Sequence, residues 1–323
     1  MIRRQFDFEQ KYQDFMSKLD QLKDQAEGMD FDLQKEMVEL ESRMSGIRAA
    51  KYQNLSAWER VLLSRHIDRP GTVDYIDYLC ESWIELHGDR LFADDQAIVG
   101  AIGMFEGRPL TIIGHRKGRS TRDNVRYNFG MPQPEGYRKV HRLLLQAEKF
   151  GRPVITFIDT PGAYPGIGAE ERGQAWAISD LLMTLSSLRV PVIAIVIGEG
   201  GSGGALALAV GDRLLMLSNA VFSVASPEAC ASILWKTPDK AEEMAEVLKI
   251  TAPDLLEQKI IDGIIEEPVG GANQDFETTA KLIKEALKRE LDILMQQNID
   301  DLINLRYARI RSLGKHFINE TVG

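Results

Sequence analysis

Apolar residues recur at helical spacing from the start of the chain. Phe15, Leu19 and Leu22 fall on one stripe, and Leu33, Met37, Leu40, Met44 and Ile47 form a second, spaced alternately by four and three. Such intervals stack side chains on one face of a helix. Residues 5 to about 50 are therefore expected to be helical, with Gly28 breaking the run into a hairpin. The stripe is expected to pack on the main body or on a partner rather than to carry chemistry.

From about residue 70 the pattern shortens. Gly100–Phe105 and Leu110–Gly114 read as paired strands joined at Glu106-Gly107-Arg108-Pro109. A unit of apolar strand, glycine-rich turn and helix then recurs. Pro153–Ile158 leads through a turn into a helix over Ala169–Leu188, and Pro191–Ile197 leads through a second turn into a helix ending at Val210. Arg213–Leu217 and Val221–Val224 add strands. Unbroken β-branched runs alternating with helices predict parallel strands covered on both faces. From about Glu277 the helical period returns, with Leu282, Ile283, Ala286, Leu287, Leu291 and Leu294 on one side. The basic stretch Arg306–Lys315 that follows is expected to be a solvated or interface helix. These patterns predict one α/β domain over residues 66–270, with helical extensions at 1–65 and 271–323.

Composition then excludes several functions. The 323 residues carry a net charge of −9, which disfavours a general nucleic-acid binder. Cys80 and Cys230 stand far apart without CxxC spacing, so no metal site built on cysteine and no disulfide framework is expected. A reducing cytoplasm is the natural setting. The start of the chain turns polar at once, unlike a signal peptide. The longest apolar run, Val190–Ile197, falls short of the ~18 residues that a membrane helix needs. A soluble protein without a membrane anchor is expected.

The chemistry concentrates in Gly198-Glu199-Gly200-Gly201-Ser202-Gly203-Gly204-Ala205, which follows a buried strand and opens a helix. Unpaired amides at a helix start suit an anion, and glycine lets a ligand approach the backbone. The stretch matches G-x-G-x-x-G, but the next strand ends in Leu217-Ser218-Asn219 without the acid that holds a ribose. It also matches G-x-S-x-G at Gly200, Ser202 and Gly204, so a serine hydrolase using Ser202 is an alternative. Of the five histidines only His316 follows Ser202, inside the basic tail. No P-loop sequence is present. Five glycines in seven residues lose backbone entropy without filling a core, which argues against a purely structural turn.

A second turn, Asp159-Thr160-Pro161-Gly162-Ala163-Tyr164-Pro165-Gly166-Ile167-Gly168, sits at the carboxyl end of the preceding strand. Turns on consecutive parallel strands can face one crevice. Upstream, His115–Arg122 is a basic loop, able to meet phosphates or a carboxylate or simply to be solvated.

Taken together, these residues resemble the alpha-subunit family of the bacterial acetyl-CoA carboxylase carboxyltransferase. The likeness is carried by His87-Gly88-Asp89-Arg90, Asn128-Phe129-Gly130-Met131-Pro132, Pro134–Lys139, Phe157–Gly168, Gly198–Ala205 and Ser226-Pro227-Glu228, collinear over roughly residues 30 to 318. It implies a crotonase-like (ClpP/crotonase) α/β fold of repeated ββα units. It also implies a beta subunit carrying a zinc ribbon, an α2β2 assembly, a biotin carboxyl carrier protein and a biotin carboxylase. No metal is implied in this chain. The implied reaction moves a carboxyl group from carboxybiotin to acetyl-CoA, giving malonyl-CoA for fatty-acid synthesis. By this resemblance Gly204 and Ala205 offer amides to the biotin oxygen, and Gly203 shapes the turn. Gly162, Ala163 and Tyr164 line the biotin pocket, and Arg116 and Lys117 are weaker candidates on the anionic substrate side. A side chain at Gly204 is expected to block the oxygen while leaving the fold intact. A non-catalytic scaffold, with all chemistry in the partner, is the other alternative.

Overall fold

The computed structural model describes residues 7–25 and 31–314. Helices α1 (Asp7–Gln25) and α2 (Phe31–Gln53) come first and pack through Phe15, Met16, Leu19 and Met37. Glu9 on α1 ion-pairs with Arg48 on α2 and accepts the Tyr52 hydroxyl at 3.0 Å. Leu22, Leu40 and Ile47 of the predicted stripes stay exposed, and Gly28 lies outside the described residues. Helix α3 (Ala57–Ser64) starts from a reciprocal capping box between Ser56 and Glu59, and α4 (Thr72–Leu79) follows.

One eight-stranded sheet forms the centre. Strands β1 (Ser82–Glu85), β2 (Ile98–Phe105) and β3 (Arg108–His115) are antiparallel, with the β2–β3 turn where the sequence predicts it. Helices α5 (Thr121–Arg126) and α6 (Pro134–Lys149) lead to β4 (Val154–Thr160), which pairs parallel with β3. The predicted helix over Ala169–Leu188 is two helices, α7 (Ile167–Glu171) and α8 (Gln174–Ser187). Gly173 between them is left-handed at φ +81°, and that reversal interrupts the helical run. Next come β5 (Val192–Gly201), α9 (Ser202–Ala209), β6 (Arg213–Leu217), parallel to β5, and β7 (Val221–Ser223), all of whose residues pair with the end of β5. Helices α10 (Pro227–Trp235), α11 (Ala241–Leu248) and α12 (Ala252–Glu257) precede β8 (Gly263–Ile265), parallel to β6.

Every residue of β4 is buried, as are Val192–Gly198 of β5, so these strands face packed layers on both sides. The tail forms α13 (Phe276–Leu294) and α14 (Ile299–Ser312). Ile283, Leu287, Leu291 and Leu294 of α13 join the same core as the sheet, as their spacing predicts. Arg306 departs from the expectation of a solvated or interface helix: it is 1% exposed, because its guanidinium enters the core to meet Asp212. Among the described residues no helix is long and apolar enough to cross a membrane, and no cluster of His, Cys, Asp or Glu gathers as a metal site.

Candidate active site

Two turns meet beyond the carboxyl ends of β4 and β5, where parallel sheets gather ligands. The first leaves β4 at Thr160, whose Oγ1 accepts the Gly162 N–H at 3.0 Å and donates to the Gly162 carbonyl at 2.9 Å. Gly162 takes φ +150°, a conformation that residues with a side chain rarely adopt. The second follows β5, and α9 opens at Ser202 with φ +54°. The two turns touch. A β-carbon on Gly204 would lie 2.5 Å from both the Ala163 nitrogen and the Gly162 carbonyl carbon, so only glycine lets the start of α9 approach this closely.

The sequence-predicted residues are therefore neighbours, with unequal access. Ser202 is exposed and Gly203 half-buried, whereas Gly204 and Ala205 are buried. Space above Gly203 is open, the nearest atom being Ile178 Cδ1 at 4.0 Å from a built β-carbon. The first amides of a helix lack intrahelical acceptors and attract negative charge. A side chain at Gly204 does not act as the sequence suggested, because it strikes the Gly162–Ala163 peptide and so disturbs the fold itself. Tyr164 is half-buried, with its N–H on the Pro132 carbonyl at 3.0 Å, its own carbonyl taking Gln174 Nε2 at 2.9 Å, and its ring over Gly166.

A partly buried ionic network, with Asp159 at its buried centre, ties the turns together. Asp159 Oδ1 accepts Lys117 Nζ at 2.7 Å and the Glu199 N–H at 2.9 Å, linking the end of β4 to the end of β5. Glu199 in turn meets Lys117 at 3.3 Å and Arg65 Nε at 2.8 Å, and Arg65 reaches Glu228 at 2.6 Å. Burial alone would push the Glu199 carboxyl up, but Lys117 and Arg65 outweigh it and hold it below the usual range. Burial likewise opposes the Lys117 charge, and Asp159 with Glu199 overrides it and raises the ammonium. Sequence reading singled out none of Asp159, Glu199, Arg65 or Glu228 for this role. The one available signal was acids placed at the ends of apolar strands, Asp159 after Ile158 and Glu199 between glycines.

Arg116 and Lys117 line a cleft of 470 Å³ beside α3 and α4, together with Arg65, Arg69 and Arg119. Gly162, Ala163, Tyr164 and the Gly203–Ala205 amides do not line it. Each cation already faces a carboxylate: Arg116 meets Glu85 at 3.0 Å, Arg69 meets Glu267 at 2.7 Å and Arg119 meets Asp74 at 2.6 Å.

Ser202 has the left-handed φ of a nucleophile elbow, but the histidines are engaged elsewhere. His66 lies at Asp68, His87 at Asp94 and His141 at Asp180, and His115 accepts the Asp159 N–H. His316 lies outside the described residues.

Comparison with known proteins identifies the family. The model of the family described as acetyl co-enzyme A carboxylase carboxyltransferase-like matches residues 5–314. The acetyl-coenzyme A carboxylase carboxyl transferase subunit alpha of Syntrophomonas wolfei subsp. wolfei is 61% identical over 98% of this chain and 99% of its own. That of Carboxydothermus hydrogenoformans is 52% identical over 97% of each. Among solved structures, transcarboxylase 12S superimposes with a TM-score of 0.56 at 18% identity, over 72% of this chain. This chain spans 44% of that one, and the likeness establishes the crotonase-like α/β fold. With the family model covering nearly its whole length, the chain belongs to the acetyl-CoA carboxylase carboxyltransferase family, as an alpha subunit.

Proposed function

We propose that this chain, together with a beta subunit, transfers the carboxyl group carried on biotin to acetyl-CoA, and that its share of the site is the pair of touching turns. Family membership supports the reaction and the need for a beta subunit. The observation that carries the site is the contact between Gly204 and the Gly162–Ala163 peptide. It brings a helix start with unpaired amides against a second glycine turn, in a place left open above Gly203.

Biotin, arriving on a carrier protein, supplies an activated carboxyl group and a ureido oxygen that gains negative charge as that group leaves. The residues of this chain hold that oxygen with amides from Gly203, Gly204 and Ala205, and seat the ring against Gly162, Ala163 and Tyr164. Fixed donors aimed at developing charge need no side-chain nucleophile, which accounts for a turn built from glycine. Arg116 and Lys117 act from the neighbouring cleft, Lys117 mainly by fixing Asp159 and Glu199. The assembly this reading entails is an α2β2 heterotetramer, with the zinc ribbon on beta, served by a biotin carboxyl carrier protein and a biotin carboxylase. It works in the cytoplasm, where malonyl-CoA feeds fatty-acid synthesis.

The test is malonyl-CoA-dependent carboxyl transfer to biocytin by this chain alone, beta alone and the mixture. Activity confined to the mixture is expected. Gly203→Val in the mixture should lower kcat by ~10²–10³-fold, the range for losing one oxyanion donor, with melting temperature and assembly retained. Full activity from beta alone would make this chain a scaffold, and full activity from Gly203→Val would remove the turn from the mechanism.

A further inference from the structure

His115 closes β3 and is fully buried, outside the residues assigned to the site above. Its backbone is pinned, since the Thr72 hydroxyl donates to its carbonyl at 2.6 Å and the next N–H, of Arg116, goes to Ala97 at 2.8 Å. Its ring reaches both turns. Nδ1 accepts the Asp159 N–H at 3.4 Å, and the backbone of Phe157 and Gly204 faces the same imidazole. The β4–β5 register shifts between Ile158 and Thr160, so Asp159 sits at an irregularity where the sheet ladder is interrupted. At this irregularity the buried Asp159 N–H finds a side-chain acceptor in the His115 ring.

Burial, with Lys117 close by, pushes the imidazole down to about 3, so the ring stays neutral at working pH. A neutral ring that accepts at Nδ1 carries its proton on Nε2. Nε2 is buried and has no acceptor in full hydrogen-bond geometry. An apolar side chain would fill the same space without stranding a donor. What the imidazole adds is the bond to Asp159, whose carboxylate simultaneously takes the Glu199 N–H and Lys117. Asp159 thus sets the spacing between the two turns, and His115 holds its backbone.

We infer that His115 is a positioning residue for carboxyl transfer, fixing through Asp159 the relative placement of the Gly162–Ala163 turn and the amides that open α9. The inference rests on the reading that those amides hold the biotin oxygen. Misplacing catalytic groups by about 1 Å reduces rate by up to ~10²-fold without abolishing binding.

The experiment compares His115→Leu and His115→Asn in the assembled complex with beta. The Asn Oδ1 can stand where Nδ1 stands and accept the Asp159 N–H, whereas Leu cannot. His115→Leu should lower kcat for biocytin carboxylation by ~10–100-fold with the malonyl-CoA KM unchanged, and His115→Asn should restore most of it. Wild-type kcat from His115→Leu overturns the inference. So does an equal loss in both variants when the complexes melt alike. If His115→Leu does not assemble, His115→Asn against His115→Gln decides, because Gln places its amide toward Nε2: an active Asn variant beside an impaired Gln variant supports the bond to Asp159, and equal activities refute it. Gly203→Val run in parallel separates the two readings. An inactive Gly203→Val beside a fully active His115→Leu sinks the role of His115 alone, and a fully active Gly203→Val sinks the turn reading beneath it.

Discussion

Arg306→Met is the sharpest test of how the C-terminal helices hold the domain. The Arg306 guanidinium uses all five of its N–H donors. Nε and Nη2 bond both oxygens of Asp212 at 2.9 and 2.7 Å, Nη1 reaches the Leu185 and Leu188 carbonyls at 2.8 and 2.7 Å, and Nη2 also reaches Val190 at 2.9 Å. This clamps α14 to the end of α8 and the entry to β5. Methionine retains the apolar stem and removes every donor. Asp212 keeps the Val192 N–H at 2.8 Å but loses its counter-charge in a site where it is 4% exposed. Breaking a buried ion pair from one side costs about 3–5 kcal/mol. For a domain of this size that corresponds to a melting temperature lower by roughly 10 °C. The clamp sits at the amino end of β5, some ten residues and about 30 Å of strand from the turns, so kcat of the folded complex should not change. Thermal unfolding at constant protein concentration measures the effect. Adding Asp212→Leu should recover part of the loss, since the stranded carboxylate disappears with it. A loss below about 1 kcal/mol for Arg306→Met would show that the clamp is an incidental contact, as exposed ion pairs are.

Three further outcomes follow from the site. Gly204→Ala should destabilise the chain by about 1–3 kcal/mol, because its β-carbon meets backbone that cannot rotate away, while Gly203→Ala should leave the melting temperature within about 1 °C. Lys117→Met leaves Asp159 and Glu199 facing each other without their shared cation, so chemical denaturation should show a loss of about 2–4 kcal/mol; an unchanged midpoint would refute the network. Acidification should act through His115. Its folded value of about 3 lies below its ordinary 6.5, so between these the unfolded chain binds the extra proton, and stability falls as pH drops through that window by up to ~1.4 kcal/mol per unit. His115→Asn removes that contribution, so the melting-temperature difference between pH 7 and pH 5 should be smaller in the variant than in the wild type.

The strands were legible because burial on both faces forces continuous apolar runs, as at Val192–Ile197, and helix α13 because its core face repeats at helical spacing. The glycine turns were legible as well, since few other demands place so many glycines between a buried strand and a helix. Short elements such as β1 and β8 escaped: four residues and three residues carry too little periodicity to read. Arg306 escaped for a different reason. A basic residue in a basic tail reads as solvated, and its burial depends on Asp212, 94 positions away. His115 and Lys117 stood in one basic loop, yet one is buried and neutral and the other is charged and paired. Burial and the neighbouring ammonium keep His115 neutral, whereas Asp159 and Glu199 together hold the charge on Lys117.

A site made of backbone amides transfers the burden of precision to whatever fixes the backbone. A side-chain catalyst can be re-aimed by a rotamer, but an amide points where its peptide points. Each turn here would be free to drift on its own, because glycine lowers the barrier to other conformations. The ion pairs prevent that: buried Asp159 spans from β4 to the Glu199 peptide, half-buried Lys117 closes the pair, and Arg65 extends the tie to Glu228 at the start of α10. Buried ion pairs contribute little net stability but strongly penalise any geometry that separates them. That balance suits this role, and it predicts that variants of Asp159, Lys117 and Glu199 will show coupled rather than additive losses in kcat. A triple variant no worse than the most impaired single variant would fit one shared brace, whereas strictly multiplicative losses would mean that the three residues act separately.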